Sequence, residues 1–384
     1  MMKKIVPGIL TVFFLLISLQ KVQAWGFWAH QRINRIAVFT LPPEMLVLYK
    51  KNIEFLTEHA VDPDKRRYAV EGEAPRHYID IDHYGENPFN VVPELWSDAV
   101  QKFTEDTLQA YGIVPWHISR SYSWLVSAFR EGDVDAILKL SADIGHYIAD
   151  GNVPLHTTEN YNGQLTGQKG IHGLWESRLP EVFGEGYDYL VGKAQYLDDI
   201  LDEAWSGVRE AHYALDSVFN FEKILTEQIG SDQKYSFENR NGRLVKTFSK
   251  AFCTSYHDML DGQVERRARI SILRVGSVWY SAWIDAGQPN LKELIKKVKK
   301  GKKGAENKDE KIEEEKENNG HKLKIIDRES SDLLGMRDVH EMLFGECEGH
   351  GMGVGHGHGR PNKPHTQTAQ GQKEGLWPLR MRDL

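Results

Sequence analysis

Two pairs of side chains set four residues apart carry the clearest chemistry in this chain. The first is His146 and Asp150, in the run Gly145-His146-Tyr147-Ile148-Ala149-Asp150-Gly151-Asn152-Val153-Pro154-Leu155-His156. The second is His172 and Glu176, in Ile171-His172-Gly173-Leu174-Trp175-Glu176. Positions i and i+4 of a helix lie on one side, so each pair offers an imidazole nitrogen and a carboxylate oxygen to the same point. Gly151 and Pro154 break the first helix and bring His156 round. Imidazole and carboxylate without thiolate suit a hydrolytic zinc, which keeps one coordination position open for water. One such pair alone is more often a surface pair or a capping arrangement. Two pairs joined by a turn that contains a third histidine point to a metal site.

These residues need rigid carriers, and the pattern around them is helical. From Ala29, the residues Ile33, Ile36, Ala37, Thr40 and Leu41 mark one face of a helix ended by Pro42-Pro43. Further helical patterns cover 43–56, 93–111, 115–130 and 133–150, and Pro at or near the first position of several of them is a start signal. Two long helical stretches follow, at 195–229 and 243–286. Alternating strand patterns are scarce and no internal repeat is evident. The predicted fold class is all-α, a multi-helix bundle-like domain over residues 25–290.

The ends of the chain read differently. Lys3 and Lys4 precede an apolar run from Ile5 to Leu19, followed by the small-residue pattern Val22-Gln23-Ala24. The run is short for a membrane span and suits a signal peptide, so residues 1–24 are expected to be removed after Ala24 on export to the periplasm or the medium. An uncleaved anchor is the alternative, and no later segment is apolar enough to span a bilayer. The remaining 360 or so residues are enough for a large core. Residues 291–331 read as a charged linker, because 292–318 are almost all Lys, Glu, Gly and Asn and have little apolar surface to bury. Residues 332–384 read as a largely disordered tail with one short helix from Asp332 to Phe344. His350, His356, His358 and His365 in that tail either capture zinc or copper weakly or belong to a weakly selected end. The net charge of −7 is spread along the chain, which argues against gripping nucleic acid by bulk electrostatics. Cys253 and Cys347 allow at most one disulfide, too little to frame the fold.

Four other residues gain meaning only together. By periodicity, Trp25 and His30 read equally as a buried aromatic and a first-turn helix residue, Asp62 as a turn residue before Pro63, and His77 as a core or surface histidine. In order and spacing, however, most of residues 25–290 resembles the zinc-dependent phospholipase C / S1–P1 nuclease superfamily. Mature members begin with Trp, matched by Trp25-Gly26-Phe27-Trp28-Ala29-His30. An Asp about fifteen residues before a His-aromatic-x-Asp motif falls on Asp62, and that motif is His77-Tyr78-Ile79-Asp80. His-x3-Asp-x5-His falls on His146, Asp150 and His156, and the final His-x3-Asp/Glu falls on His172 and Glu176.

The resemblance implies three Zn2+ per mature chain. One would be held by Asp62, His77, His146 and Asp150. A second would use the amine and carbonyl of Trp25, His30 and the other oxygen of Asp150. The third would use His156, His172 and Glu176. The first two would share a bridging hydroxide as nucleophile, giving Asp62 and Asp150 catalytic weight. Lys65 matches a phosphate-contacting lysine of the nuclease branch, although a solvated lysine beside Arg66 and Arg67 is almost as good a reading. Asp80 is a candidate to orient a ligand or the N-terminal amine.

The expected activity is hydrolysis of phosphodiesters, with phospholipid or single-stranded nucleic acid as substrate. Glu176, the short interval from His156 to His172 and the Asn160-Tyr161 start of that interval look phospholipase C-like, whereas Asp62-x2-Lys65 looks nuclease-like. Tyr68, Tyr78 and Tyr161 could border a base or a headgroup, or simply pack around the cluster. A non-catalytic zinc-binding or surface-interaction protein is the reading from another class, and the intact set of nine ligand positions argues against it. A monomer making transient contact with a membrane surface completes the expectation.

Overall fold

The computed structural model describes residues 26–297 apart from 231 and 241. The signal region, Trp25, residues 298–331 of the expected linker, and the tail with its histidines and Cys347 lie outside the described residues. The described part is mostly helical.

Seven helices carry the argument: α1 Gly26–Ala37, α2 Val114–Glu131, α3 Val134–Gly151, α4 Ile200–Tyr213, α5 Leu215–Ile229, α6 Lys250–Met259 and α7 Gln263–Asp285. Their ends follow from local chemistry. Pro115 opens α2, and Gly132 closes it in the left-handed conformation at φ 72°, its N–H returning to the carbonyls of Ala128 and Phe129. Asp133 then accepts from the Ala136 N–H to start α3. Asp199 and Ser249 start α4 and α6 in the same way.

Two apolar cores result. The first joins α1, α2, α3, α4 and α7 through residues such as Ala37, Phe129, Ile144, Trp205 and Trp279. The second gathers Leu155, Ile171, Leu174 and Leu179 against Val218 of α5 and Phe252 and Tyr256 of α6. His146 and Asp150 ride on a helix of the first core, whereas His156, His172 and Glu176 lie on the stretch that builds the second. The candidate site sits on the seam.

The long helical stretches expected from the sequence are interrupted. The stretch 93–111 divides at Thr104, whose φ of 68° reverses the chain before Glu105–Tyr111. Residues 195–199 are not helical, and the N–H groups of Gln195 and Leu197 donate to Ser277 and Ser281 of α7. The expectation of one helix over 243–286 is corrected at its start. Strands β1 Tyr235–Arg240 and β2 Arg243–Phe248 pair antiparallel, with Phe237 opposite Lys246 and Asn239 opposite Leu244. The alternation Tyr235-Ser236-Phe237-Glu238 and the Asn241-Gly242 dipeptide are the hairpin signal that helical periodicity obscured. At the other boundary, residues 291–297 are helical, Leu291 is buried and Leu294 and Ile295 pack on the first core.

Gly145 sets the approach of α1 to α3. A Cβ there would lie 2.1 Å from Oδ1 of Asn34, a buried residue whose amide donates to the Ala142 carbonyl at 3.0 Å. The approach stacks the His30 and His146 rings with centroids 4.0 Å apart. Gly145→Ala gains about 1 kcal/mol of helix propensity but must displace Asn34 and its hydrogen bond. A net loss of about 1–3 kcal/mol is expected, read as a lower urea midpoint. An unchanged or higher midpoint would show that the contact yields freely.

Candidate metal centre

Seven of the sequence-predicted residues come together. Asp150 is at the centre. Its Oδ2 lies 2.8 Å from His77 Nδ1 and 3.2 Å from His146 Nε2, and its Oδ1 lies 3.3 Å from His30 Nε2 and 3.6 Å from His156 Nδ1. Glu176 gathers the other side: Oε2 is 2.6 Å from His172 Nε2 and 3.5 Å from His156 Nε2, while Oε1 is 3.7 Å from His30 Nε2. All seven are buried. His77–His146–Asp150, His156–His172–Glu176 and His30–Asp150–Glu176 each place ligand atoms within 4.8 Å of one another. These buried groups could hold metal ions.

The backbone decides which ring nitrogens face inward. His146 Nδ1 lies 2.8 Å from the Ala60 carbonyl, His156 Nδ1 2.6 Å from that of His77, and His172 Nδ1 3.1 Å from that of Tyr161. A carbonyl only accepts, so each Nδ1 carries a proton and each Nε2 is the nitrogen that an entering cation would take, the usual arrangement behind a metal-binding histidine. Glu176 and its neighbours lie in the wide π-helical turn Gly173–Arg178 directly after His172, a distortion common at functional sites.

The donor set fits a borderline divalent cation. His146 Nε2 and His77 Nδ1 are 3.0 Å apart beside Asp150, a convergence that requires a proton or a cation between them. His30 Nδ1 is buried without a hydrogen-bond partner among the described residues; His77 turns Nδ1 to the group, and its Nε2, which also has no such partner, lies 3.7 Å from Glu73. Nitrogen and oxygen donors without sulfur suit zinc, with geometry and supply deciding among competitors.

Electrostatics point the same way. Burial opposes ionisation of His30, yet its contacts with Asp150 and Glu176 raise its pKa to about 10. Burial likewise opposes protonation of His77 and His156, and the carboxylates overcome it. Asp150 and Glu176, against the cost of their burial, are held well below the usual carboxylate range by the histidines. Protons therefore occupy the metal-free site and must leave on loading. The sign for stability follows from His30. Its raised pKa stabilises the metal-free fold fully below pH ~6.5, and that contribution is lost as pH rises toward 10, by at most about 1.4 kcal/mol per pH unit per proton. Chelator-treated protein should therefore lose stability from pH 6.5 upward while zinc-loaded protein does not. Parallel urea midpoints in the two states would contradict this.

The two remaining described candidates lie elsewhere. Asp62 is not among the converging groups; its carboxylate is taken by His59 Nδ1 at 2.5 Å and Lys65 Nζ at 2.7 Å, near the surface. Lys65 is exposed and turned to that carboxylate. The acid that reaches the site is Asp64, whose Oδ1 lies 3.7 Å from His146 Nε2 and 3.8 Å from His77 Nδ1. Asp64 also groups with His30 and His146. The physical reason is helical phase. In the short helix Asp62–Arg66, residues 62 and 64 differ by about 200° and point to opposite sides. Trp25 lies outside the described residues. Asp80 is fully buried, as is Tyr78, while Tyr68 is exposed and the Tyr161 ring meets His172 edge-on.

Sequence reasoning missed two further residues. Arg67 is half-buried, its Nε without a hydrogen-bond partner among the described residues, and its charge lowers the pKa of His156. Asp64-x2-Arg67 repeats the spacing of Asp62-x2-Lys65 two residues later, a signal the sequence did contain. Glu73 is fully buried behind His77, with Oε1 3.7 Å from Nε2. It is held by Arg66 at 3.2 Å, by Arg76 at 2.7 Å and by the Tyr147 hydroxyl.

No family model matches the chain, and no curated protein matches it.

Proposed function

We propose that this protein is an exported zinc-dependent hydrolase of phosphodiesters, phospholipase C-like in substrate class. The observation that carries the reading is the convergence of seven buried His, Asp and Glu side chains on Asp150 and Glu176. Support for the reaction class comes from the order and spacing of these residues, which resemble the phospholipase C / S1–P1 nuclease pattern from Trp25 to Glu176. One cation would be held by His77, His146, Asp150 and Asp64. A second would be held by His156, His172 and Glu176. A third would use His30 and Asp150 together with the Trp25 amine and carbonyl that the resemblance assigns. Divalent cations supply an activated water near neutral pH and neutralise phosphate charge during in-line displacement.

The chain's own residues do the rest. The Ala60, His77 and Tyr161 carbonyls hold three imidazoles in their ligand tautomers. Asp150 and Glu176, kept ionised, serve as ligands and not as proton donors at neutral pH. Arg67 would meet a phosphate oxygen, since a guanidinium with no carboxylate partner among the described residues suits bidentate anion binding. The Asp-x2-basic spacing favours a second reading, a single-strand nuclease or 3′-nucleotidase.

The deciding experiment assays zinc-loaded protein side by side on a chromogenic phosphodiester, phosphatidylcholine, single-stranded DNA and RNA, and 3′-nucleotides. Turnover of phosphatidylcholine supports the first reading and turnover of nucleic acid the second; no turnover of any of them would leave a zinc-binding or surface-interaction protein. Export is part of the proposal. A version with extra residues ahead of Trp25 should bind one zinc fewer per molecule, measured by metal analysis. Equal zinc content would refute ligation by the amine.

A further inference from the structure

The β1–β2 hairpin has a composition unlike the rest of the surface. Directly paired residues share a face, so Phe237, Leu244 and Lys246 lie on one side of it, and Arg243 and Val245 on the other. Phe237 is 67% exposed, Leu244 71% and Val245 39%. Arg243 and Lys246 are exposed and form no salt bridge among the described residues, whereas Glu238 is taken by Arg178 and Arg240. Asn239 and Gly242 at the tip are neutral. The Lys246 ammonium lies 4.1 Å from the Tyr235 ring centroid, a contact that leaves its charge in place, so this half of the hairpin combines exposed apolar side chains with positive charge that no carboxylate among the described residues pairs with.

Its base is fixed to the segment that carries part of the candidate site. Arg178, two residues after Glu176, donates to the Phe248 carbonyl at 3.3 Å and pairs with Glu238. Arg240 pairs with Glu181 through both carboxylate oxygens, at 2.8 and 2.9 Å. The Phe248 ring lies where a Cβ on Gly170, two residues before His172, would touch it.

We propose that this hairpin docks the protein on a phospholipid surface bearing anionic headgroups, an inference that deepens the phospholipid reading above. Apolar side chains enter the headgroup–acyl boundary while neighbouring cations meet the phosphates, and the long stems of Lys246 and Arg243 let both happen at one depth. Charge complementarity selects this occupant over a second copy of the chain. Two copies meeting through the hairpin would bring like charges together, and edge cations of this kind oppose strand-to-strand association.

The test uses zinc-loaded protein purified after export and co-sedimented with vesicles of phosphatidylcholine alone or mixed with phosphatidylglycerol. Wild type should favour the anionic vesicles, with binding that weakens as salt rises. Phe237→Ser with Leu244→Ser should reduce binding to both vesicle types at least about tenfold. Arg243→Gln with Lys246→Gln should remove the anionic preference, a loss of about thirtyfold on the mixed vesicles. Both variants should keep wild-type zinc content and wild-type hydrolysis of a soluble chromogenic phosphodiester. Wild type that ignores anionic vesicles, or variants that bind them like wild type, would overturn the docking proposal; so would loss of binding at low protein concentration only, the mark of self-association. Vesicle binding without soluble turnover would keep the docking surface and sink the hydrolase reading, and the reverse result would do the opposite.

Discussion

If the centre holds the three zinc ions proposed for it, Asp150→Asn should strip two of them and lower the proposed phosphodiester hydrolysis by more than about 100-fold, beyond the effect typical of a residue that only supports a ligand. The carboxylate stands between four histidines: its Oδ2 faces His77 and His146, its Oδ1 faces His30 and His156. An amide keeps the shape but carries no charge, and its NH2 would point a donor at nitrogens that need a cation. The comparison is His172→Ala, which touches only the group around Glu176 and should lose one zinc. In metal-free protein the same Asp150 change leaves buried imidazolium unpaired, at a cost of about 3–5 kcal/mol. Metal analysis, turnover and urea unfolding together read the result. An Asp150→Asn protein with three zincs, or one no worse than His172→Ala, would remove Asp150 from the centre of the proposal.

Asp64→Asn should lose the zinc proposed to lie between it, His77 and His146 and lower the proposed activity by more than about 100-fold, while Asp62→Asn should leave zinc content intact. The two acids are two residues apart in one short helix, yet only Asp64 reaches toward the imidazoles. Asp62 sits near the surface between His59 and Lys65. Removing such a partly exposed cluster costs about 1 kcal/mol or less and should leave turnover within a few-fold of wild type. The reverse order of effects would restore Asp62 as the ligand.

The parts of the site legible in the sequence are those whose geometry is local. His146 with Asp150 and His172 with Glu176 lie within a single helical turn, where backbone period alone places two side chains together, and Gly151 and Pro154 announce the bend that returns His156. The helical class is legible for the same reason, because repeated apolar spacing marks a buried face whatever it packs against. The hairpin at 235–248 went unread because its alternation is brief and its apolar residues face outward.

Other features depend on how distant segments meet. Whether Asp62 or Asp64 serves the site depends on which side of a five-residue helix faces α3, and a spacing match that tolerates a residue or two cannot decide between faces about 200° apart. The burial of Glu73 behind His77, the unpartnered Nε of Arg67 and the carbonyls that select the ring tautomers are likewise set by packing between segments far apart in the chain. The sequence by itself determined which residue types could bind a cation and which of them come as local pairs. Only the tertiary structure decided the carboxylate at the seam of the two cores and the nitrogen each histidine turns inward, because side-chain direction across a packed interface is fixed by the contacts of both partners and not by either segment's own pattern.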